Sequence, residues 1–571
     1  MENAQVADIF DEIADLVELD QGNEFRVRAY RAAARTIRNL PQRLEDLADA
    51  DEDLSEIPDI GESSAAKIHE ILATGTCERL QELRDQVPAE LTDVMRIPQL
   101  GPTTVMQLHR ELGIENLDDL QAAAEAGDVR ALEGLGQKTE QAVLAGLSSV
   151  RSGRGRFLLK EAADHVASLG RGLEGIAAIT RWRVAGSYRR RKETVGDLDI
   201  VIQATDREAA ADAIIDLSDV EEVVSRGRER LTLRLIGDLQ VDVRFVEEAS
   251  FGSALLYFTG AKAHSIELRK LALERDWKLN EYGLFKGDNR LAGATEESVY
   301  HRLNLPWIAP ELREDRGELD AARTGGLPEL VELDQIRGDL HAHTDASDGS
   351  AGIRAMAEAA RERGYAYLAI TDHSKRVSVA NGLDDEAIAA HARCIRAVNE
   401  ELDDLWLMAG VEVDILDDGS LDLRETTLED LDWVVASVHS SFDLDERAMT
   451  ERLVTAVESG VVHCLGHPTT RMLRKRAPVS FDADRLFAAC AERGVYLEVN
   501  AQPQRLDLPD TFCQRAKRAG ARFTISTDAH EPSDLGFMPY GVDVARRGWL
   551  GSEDVLNTMT VSRLRKVLTK E

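Results

Sequence analysis

The sequence predicts a multidomain chain: an α-helical N-terminal region, an α/β middle, and a distorted (β/α)7 barrel at the C-terminus. Three observations carry that expectation. Up to about residue 150, short helical segments are punctuated by glycine, and one pattern repeats three times. From about 155 to 315, strand-like and helical periodicities alternate. After residue 336, seven strand-like runs alternate with helical segments, and six of them carry histidine or carboxylate side chains near their ends.

At 571 residues the chain is long enough for three or four domains, each with its own core. No run reaches the roughly 18 apolar residues of a membrane span, and the opening MENAQVADIF lacks the basic and apolar regions of a signal peptide. The five cysteines (Cys77, Cys394, Cys464, Cys490, Cys513) are odd in number, scattered and without a CxxC pair. Reduced thiols and a cytoplasmic protein with no membrane partner are therefore expected. The formal charge is −35, with 13 lysines against 56 arginines. This balance predicts adaptation to molar salt, where the Debye length is only about 3 Å and a distant acidic surface hardly repels a polyanion. Two basic islands contain no acid. One holds Arg26, Arg28, Arg31, Arg35 and Arg38, the last four on one helical face. The other, residues 181–192, holds six basic side chains. Both point to phosphate contact.

The repeated pattern reads IPDIGESSAAKI from Ile57, IPQLGPTTVMQL from Ile97 and LEGLGQKTEQAV from Leu132. Each places a glycine (Gly61, Gly101, Gly136) before a polar helix start and an apolar helical face. Glycine permits a tight turn between helices, and the free amides at the second helix's start can hold a phosphate. The repeats resemble the helix-hairpin-helix motif. That resemblance implies DNA-backbone contact without sequence readout, through these glycines together with Arg28, Arg31 and Arg35. Lys67, in the first repeat, is the only lysine in the first 137 residues; arginine, the other strong base there, forms no Schiff base.

The strongest motif of the middle region is AGSYRRRKETVGDLDIVI, Ala185 to Ile202. Asp197 and Asp199, two apart on an apolar run, share one face of a strand. A third carboxylate, Asp242, sits in the alternating run LQVDVRF. Three convergent carboxylates suit a pair of Mg²⁺ or Mn²⁺ ions. If the segment opened by Gly186 and Ser187 begins a helix, its amides and Arg190 can cradle a triphosphate.

In order along the chain, these elements resemble the family X DNA polymerases, the family of polymerase beta. The resemblance implies a nucleotidyltransferase palm and a thumb, with catalysis at Asp197, Asp199 and Asp242. It implies a nucleotide site of Gly186, Ser187, Arg190, Gly196, the Tyr257-Phe258-Thr259-Gly260 segment and Arg269, with Arg244 and Asn280-Glu281-Tyr282 also matching. Ser265 stands where the family commonly has an asparagine touching the base's minor-groove edge, so weaker checking of base-pair fit is expected. Lys67 aligns with the Schiff-base lysine of the polymerase beta lyase domain, while Ser63 replaces a lysine often found one turn earlier; a solvated helix lysine is the alternative reading. The implied domains are a lyase-like helical domain (1–85), a fingers-type domain with two hairpin motifs (86–152), palm (153–250), thumb (251–315), a polar linker (316–336) and the barrel (337–571).

In the barrel region, DLHAHTDASDG presents His341, His343 and Asp348, and YLAITDHS presents His373. LMAGVEVDI presents Glu412, WVVASVHS His439, VVHCLGHP His467, and FTISTDAH Asp528 and His530. The seventh run, VYLEVN, ends at Asn500. Strand C-termini share one face of a parallel barrel, so nine N and O donors converge with no thiolate. Such a set favours Mn²⁺, Zn²⁺ or Fe²⁺, and nine donors serve two or three ions. His391 and His463 fall off the pattern and read as structural. The motifs HxH, SDG, TDH, GxE, SVHS, GHP and TDAH resemble the PHP (polymerase and histidinol phosphatase) domain. That implies metal-dependent hydrolysis of phosphate esters and, beside a family X polymerase, 3'-to-5' trimming of DNA ends. Arg471 and Lys475 are candidates for holding the substrate backbone.

The leading expectation is a monomeric gap-filling repair polymerase that takes dNTPs and gapped or nicked DNA. It carries a 3'-5' exonuclease or 3'-end phosphoesterase, and a 5'-deoxyribose phosphate lyase at Lys67. Two alternatives stay open: a barrel that hydrolyses small phosphomonoesters of the histidinol phosphate kind, and a DNA-end scaffold with inactive metal sites.

Overall fold

The structure is a computed structural model that describes the chain apart from residues 2, 21–22, 41–42, 51, 96, 98–99, 133, 137–138, 142, 145–146, 148–155, 378–379 and 569–571. The expected boundary at 152/153 and the helix start of the third repeat at 137–138 lie outside the described residues. Two compact units result, Met1–Arg156 and Phe157–Glu571.

The first unit is helical, as expected. Helices α1 (Asn3–Leu19) and α2 (Glu24–Asn39) pack over a core that includes Phe10, Ile13, Leu16, Ala34 and Ile37. Helices α3 (Glu62–Thr74) and α4 (Pro102–Leu112) are the second helices of the first two repeats. Their N-caps, Gly61 and Gly101, have φ of −84° and −85°, extended backbone open to any residue. The turn therefore does not require glycine, contrary to the expectation from sequence. Nothing lies within 4 Å of a Cβ built at Gly61, Gly101 or Gly136. What glycine leaves is open space over the helix's first amides, which a phosphate oxygen can enter. The basic island on α2 is partly neutralised within the unit: Arg31 reaches Asp15 and Glu18, and Arg38 reaches Asp8 and Asp11, all on α1.

The second unit begins with a five-stranded sheet of β1 (Ile179–Val184), β2 (Asp197–Ala204), β3 (Val220–Arg226), β4 (Arg230–Leu235) and β5 (Gln240–Phe245), ordered β1-β2-β5-β4-β3. Only β2 and β5 run parallel, and their register sets Asp199 opposite Asp242. A four-residue helix, α5 (Gly186–Arg189), sits between β1 and β2. Helices α6 (Phe251–Thr259) and α7 (Lys262–Leu273) and a three-stranded antiparallel meander over residues 278–292 follow. The carboxylate of Glu296, 4% exposed, ties this thumb region to α5. It accepts from Arg189 at 2.7 Å and from the fully buried Arg313 at 2.7 Å. Burial opposes its charge, yet Arg313 and Arg189 hold its pKa down to about 2. Removing one member of such a buried pair typically costs about 3–5 kcal/mol.

Residues 316–336, read from polarity as a linker, are packed. A helix spans Glu318–Thr324, and its Glu318 is buried against His264 at 2.6 Å while accepting from the amides of Asp315 and Arg316. Glu318 is thus a buried partner, while Asp320, Arg323, Thr324, Glu329, Glu332 and Asp334 remain exposed.

The barrel strands are β6 (Gly338–Ala342), β7 (Tyr367–Ile370), β8 (Trp406–Asp414), β9 (Trp433–Ser437), β10 (Cys464–Leu465), β11 (Tyr496–Asn500) and β12 (Phe523–Ser526). All seven are parallel and in chain order, and a bridge from Ala342 to Ala529 links the first to the last. Their near-continuous burial matches a sheet covered on both faces. Among the covering helices are α8 (Asp510–Arg518) and α9 (Met538–Arg547). No helix among the described residues is long and apolar enough to cross a membrane.

Two candidate metal centres

The first centre lies on the parallel pair β2–β5. Asp197 is exposed at the strand's start, Asp199 is half-buried and Asp242 is 6% exposed. Burial first, then the charges of Asp197 and Asp242, push the Asp199 carboxyl up to about 7. A carboxylate cluster that tends to keep a proton at neutral pH is short of positive charge, so the donor set fits divalent cations. Asp242 is meanwhile engaged by the Thr232 hydroxyl at 2.6 Å and by Arg230 Nη2 at 2.9 Å. Gly186 has φ +62°, and a Cβ there would sit 2.7 Å from Asp199 Oδ2. Only glycine lets α5 start this close to the carboxylates.

Of the residues expected from sequence at a nucleotide site, Arg190 lies within electrostatic reach of Asp199, as does Arg244. Ser187 follows Gly186 in α5, and Gly196 immediately precedes Asp197. Arg190 donates through Nε to Glu314 at 3.0 Å and through Nη1 to the Thr259 carbonyl; Nη2 has no hydrogen-bond partner among the described residues. Gly260 (φ +71°) makes room for that guanidinium, since a Cβ there would lie 3.1 Å from Arg190 Nη1. Arg244 stacks over the Phe258 ring at 5.0 Å. Tyr257, Ser265, Arg269 and Asn280 line a small pocket with Ser253 and Leu268. There Arg269 Nε donates to the Ser265 carbonyl at 3.2 Å, and the buried Ser265 hydroxyl has no partner.

In the first unit, Lys67 Nζ lies 2.9 Å from the Ser63 hydroxyl and 5.8 Å from the Tyr30 ring centroid. Ser63 therefore occupies the lysine's donor rather than supporting it with charge.

The second centre is at the C-terminal ends of the barrel strands and brings together all nine side chains read from the sequence. Glu412, buried at 1% exposure, is its hub. His341, His343, His373, His439 and His467 approach its two oxygens at 3.5, 3.6, 2.8, 3.3 and 2.9 Å. Three ligand groups can be drawn: His343, Asp348, His373 and His530; His341, His343 and Asp528; His373, Glu412 and His439. Glu412 Oε2, His341 Nε2, His343 Nδ1, His373 Nδ1 and His467 Nδ1 are buried without a hydrogen-bond partner. His373 Nδ1 and Glu412 Oε2 approach to 2.8 Å yet are not aligned for a hydrogen bond. Among the described residues these buried donor atoms lack partners that an ion would supply, while His343 Nε2 and His467 Nε2 bond Asp528 and Glu412. The electrostatics agree. Burial disfavours charge on His373, but Glu412 and Asp348 push it up to about 10. Burial together with the charges of His373 and His530 pushes His343 down to about 4. Glu412 and Asp528 sit well below the usual carboxylate range despite burial, because histidines surround them. The cluster demands positive charge, and its donors fit two or three divalent ions.

A further ring of residues, missed from sequence, orients these ligands. Glu498 accepts from His341 Nδ1 at 2.7 Å and from the His467 amide. Asp414 accepts from His439 Nδ1 at 3.1 Å, and the Asp528 carbonyl from His530 Nδ1 at 2.8 Å. Each bond places the proton on Nδ1 and leaves Nε2 as the lone-pair donor. Glu498 was visible as a carboxylate two residues before the end of VYLEVN, and Asp414 as the residue two past Glu412. His391 and His463 are structural, as expected: His391 bonds Asp372 at 2.7 Å, and His463 Nδ1 accepts from the Val434 amide. Arg471 is not available to a substrate. Its side chain is 9% exposed and committed to Glu193 at 2.9 Å and to the carbonyls of Arg505 and Leu506. Lys475 bonds Gln504. Arg505, unforeseen, brings Nε to 3.5 Å from Asp528 Oδ2.

Comparison with known proteins divides the chain in the same places as its chemistry. It matches a helix-hairpin-helix domain (1–77), a SAM-like helix-hairpin-helix tandem (80–149), the DNA polymerase beta palm (158–249), the DNA polymerase beta thumb (254–314) and a PHP domain (339–502). A DNA polymerase/3'-5' exonuclease PolX from Bacillus subtilis is 35% identical over 575 positions, covering 100% of both chains. A probable phosphatase of a Thermoanaerobacter species is 26% identical over 246 residues, 41% of this chain and 94% of its own. One of Photobacterium profundum is 28% identical over 208 residues, 35% of this chain and 80% of its own.

The orienting role of Asp414 is open to test. An Asp414→Asn chain is expected to bind Mn²⁺ at the barrel about 10- to 100-fold more weakly, as read by competition with a fluorescent chelator at fixed pH; unchanged affinity would contradict that role.

Proposed function

Because the chain belongs to the DNA polymerase/3'-5' exonuclease PolX family, we propose that it fills gaps in DNA during repair and trims 3' ends, as a cytoplasmic monomer. The observation that carries this reading is the presence of both centres in one chain: carboxylates in register on β2 and β5, and nine candidate ligands, Glu412 among them, gathered at the barrel's strand ends. The unpaired cysteines, of which only Cys394 is exposed, support a reducing compartment.

In nucleotide addition, Asp197, Asp199 and Asp242 would hold Mg²⁺ or Mn²⁺, which activates the primer 3'-hydroxyl and neutralises charge on the transferred phosphoryl group. The chain's own part is positioning. Gly186 brings the Ser187 amide beside the carboxylates, Arg190 presents Nη2 to the dNTP triphosphate, and Gly196 keeps the approach to Asp197 open. Tyr257, Phe258, Gly260 and Arg269 frame the sugar and base. Serine at 265 leaves its hydroxyl without a partner in that frame, which supports looser checking of base-pair fit. Gapped or nicked DNA is held by amides beside Gly61, Gly101 and Gly136 and by Arg28, Arg31 and Arg35. Arg31 would have to exchange Asp15 and Glu18 for phosphate.

In trimming, the nine barrel ligands would hold two or three Mn²⁺, Zn²⁺ or Fe²⁺ ions, which polarise the phosphodiester and activate water for in-line attack. Glu498, Asp414 and the Asp528 carbonyl keep the imidazoles in the tautomer that ligation needs. Arg505, beside Asp528, supplies a fixed cation at the rim for a phosphate oxygen. At Lys67, a neutral amine would attack the abasic sugar aldehyde. Its hydrogen bond to the Ser63 hydroxyl rather than to a carboxylate supports that role.

The probable phosphatases, which match 41% and 35% of this chain, favour one second reading: a barrel that hydrolyses small phosphomonoesters rather than DNA ends.

A 5'-labelled primer in a one-nucleotide gapped duplex, in molar KCl with Mn²⁺, separates these readings. Extension with dNTPs is expected to vanish in Asp199→Ala, and shortening without dNTPs to vanish in His341→Ala. Phosphate release from small phosphomonoesters with no shortening selects the second reading, and a bound primer that neither grows nor shrinks overturns both. Borohydride is expected to trap the intact chain on an abasic site and not the Lys67→Ala chain; equal trapping would remove Lys67 from the chemistry.

A further inference from the structure

Helix α9 belongs to the barrel, yet it is built into the polymerase part of the same unit. Its Tyr540 packs against the palm core, and Trp549, just beyond its end, packs against the thumb core. Arg546 donates to Glu311 at 2.9 Å, and Arg191 approaches Asp543 to 3.5 Å. The last residue of α9, Arg547, is 3% exposed. Its Nη1 donates to the Arg190 carbonyl at 2.7 Å and to Glu314 Oε1 at 3.1 Å, and its Nη2 to Asp510 Oδ2 at 2.5 Å. The same Glu314 oxygen accepts from Arg190 Nε at 3.0 Å. One carboxylate oxygen is therefore shared by a barrel arginine and the arginine assigned to the triphosphate, 357 residues apart in sequence.

The seam is also unbalanced in charge. Arg190, Arg316, Arg547 and Lys192 crowd two acids, Glu314 and Asp510. Burial opposes the Arg547 charge, while Asp510 and Glu314 hold its pKa above the ordinary arginine value. Lys192 is lowered by burial, with Arg547 adding to the effect. Surplus positive charge held in a dry seam is attractive to a polyanion. Among the described residues Arg190 Nε and Nη1 are engaged, and Nη2 makes no hydrogen bond and can meet it.

Resting on the polymerase reading above, we propose that Arg547 of the barrel is a positioning residue for nucleotide incorporation: through Glu314 and the Arg190 carbonyl it aims the Arg190 guanidinium at the incoming triphosphate. An arginine is suited to this because its planar fork serves three acceptors at once, where lysine offers a single point of charge.

The test uses the full chain, a gapped duplex and a titrated dNTP. Arg547→Met is expected to raise the dNTP KM about tenfold, the weight of one hydrogen bond to a charged group, with a smaller change in kcat. Arg547→Lys, which keeps the charge but not the fork, should fall in the same direction and carries the test if the methionine chain does not fold. Shortening of a single-stranded 3' end by the same preparation reports that the barrel is intact. Adding Arg547→Met to Arg190→Ala is expected to change KM by less than about twofold, because the effect runs through Arg190. A folded Arg547 variant with unaltered KM, or two effects that multiply, would overturn the inference while leaving the polymerase reading in place. Absence of incorporation by the unmodified chain would overturn that reading and this inference with it.

Discussion

Glu412 is a carboxylate shut away from water, and the barrel around it is organised to supply the positive charge it lacks. A lone buried carboxylate would protonate or unfold its surroundings. Here its charge is kept by five imidazoles from four strand ends, which Asp348 and Asp528 extend into one cluster. Glu498 and Asp414 in turn fix the rings of His341 and His439, and the Asp528 carbonyl fixes that of His530. The seven parallel strands bring these groups to one face. The palm repeats the logic more sparingly: Asp199 is crowded by two acids, and β2 and β5 must stay in register for the third carboxylate to face it.

The join between these two centres adds ion pairs to the apolar contacts of Tyr540 and Trp549. Arg471 with Glu193, Arg474 with Glu161, and Arg547 with Glu314 link barrel to palm and thumb. In a chain with 56 arginines and a formal charge of −35 this is the available chemistry. Surface pairs are screened by salt, whereas dry, hydrogen-bonded pairs are screened least. Of the three, Arg547–Glu314 is the dry pair that salt screens least, whereas Arg474–Glu161 is exposed and open to screening.

Much of this was legible in the sequence. The nine barrel ligands announced themselves by falling at the ends of apolar runs, and Asp197, Asp199 and Asp242 by alternation on strands. What remained hidden depends on distance or conformation. Arg471 looked like a substrate contact because local sequence shows its charge but not the Glu193 side chain 278 residues away that takes it. The polarity of 316–336 suggested a linker because sequence does not show that Glu318 is buried against His264. Gly61 and Gly101 looked like turn residues, whereas their backbone is ordinary and the missing side chain is what matters. Arg547 carried no motif at all, since its role exists only once α9 meets the palm.

The claim on which the rest depends is that the barrel is built around divalent ions. Scanning calorimetry of the full chain, before and after chelation, tests it directly. Ligands bound at about 100 times their Kd stabilise a fold by about 2.7 kcal/mol, worth about 3 °C in the unfolding temperature of a unit this large. Chelation is expected to lower the transition of the Phe157–Glu571 unit by at least that much, and Mn²⁺ is expected to restore it where added monovalent salt does not. Superimposable thermograms with and without the ions would contradict the account.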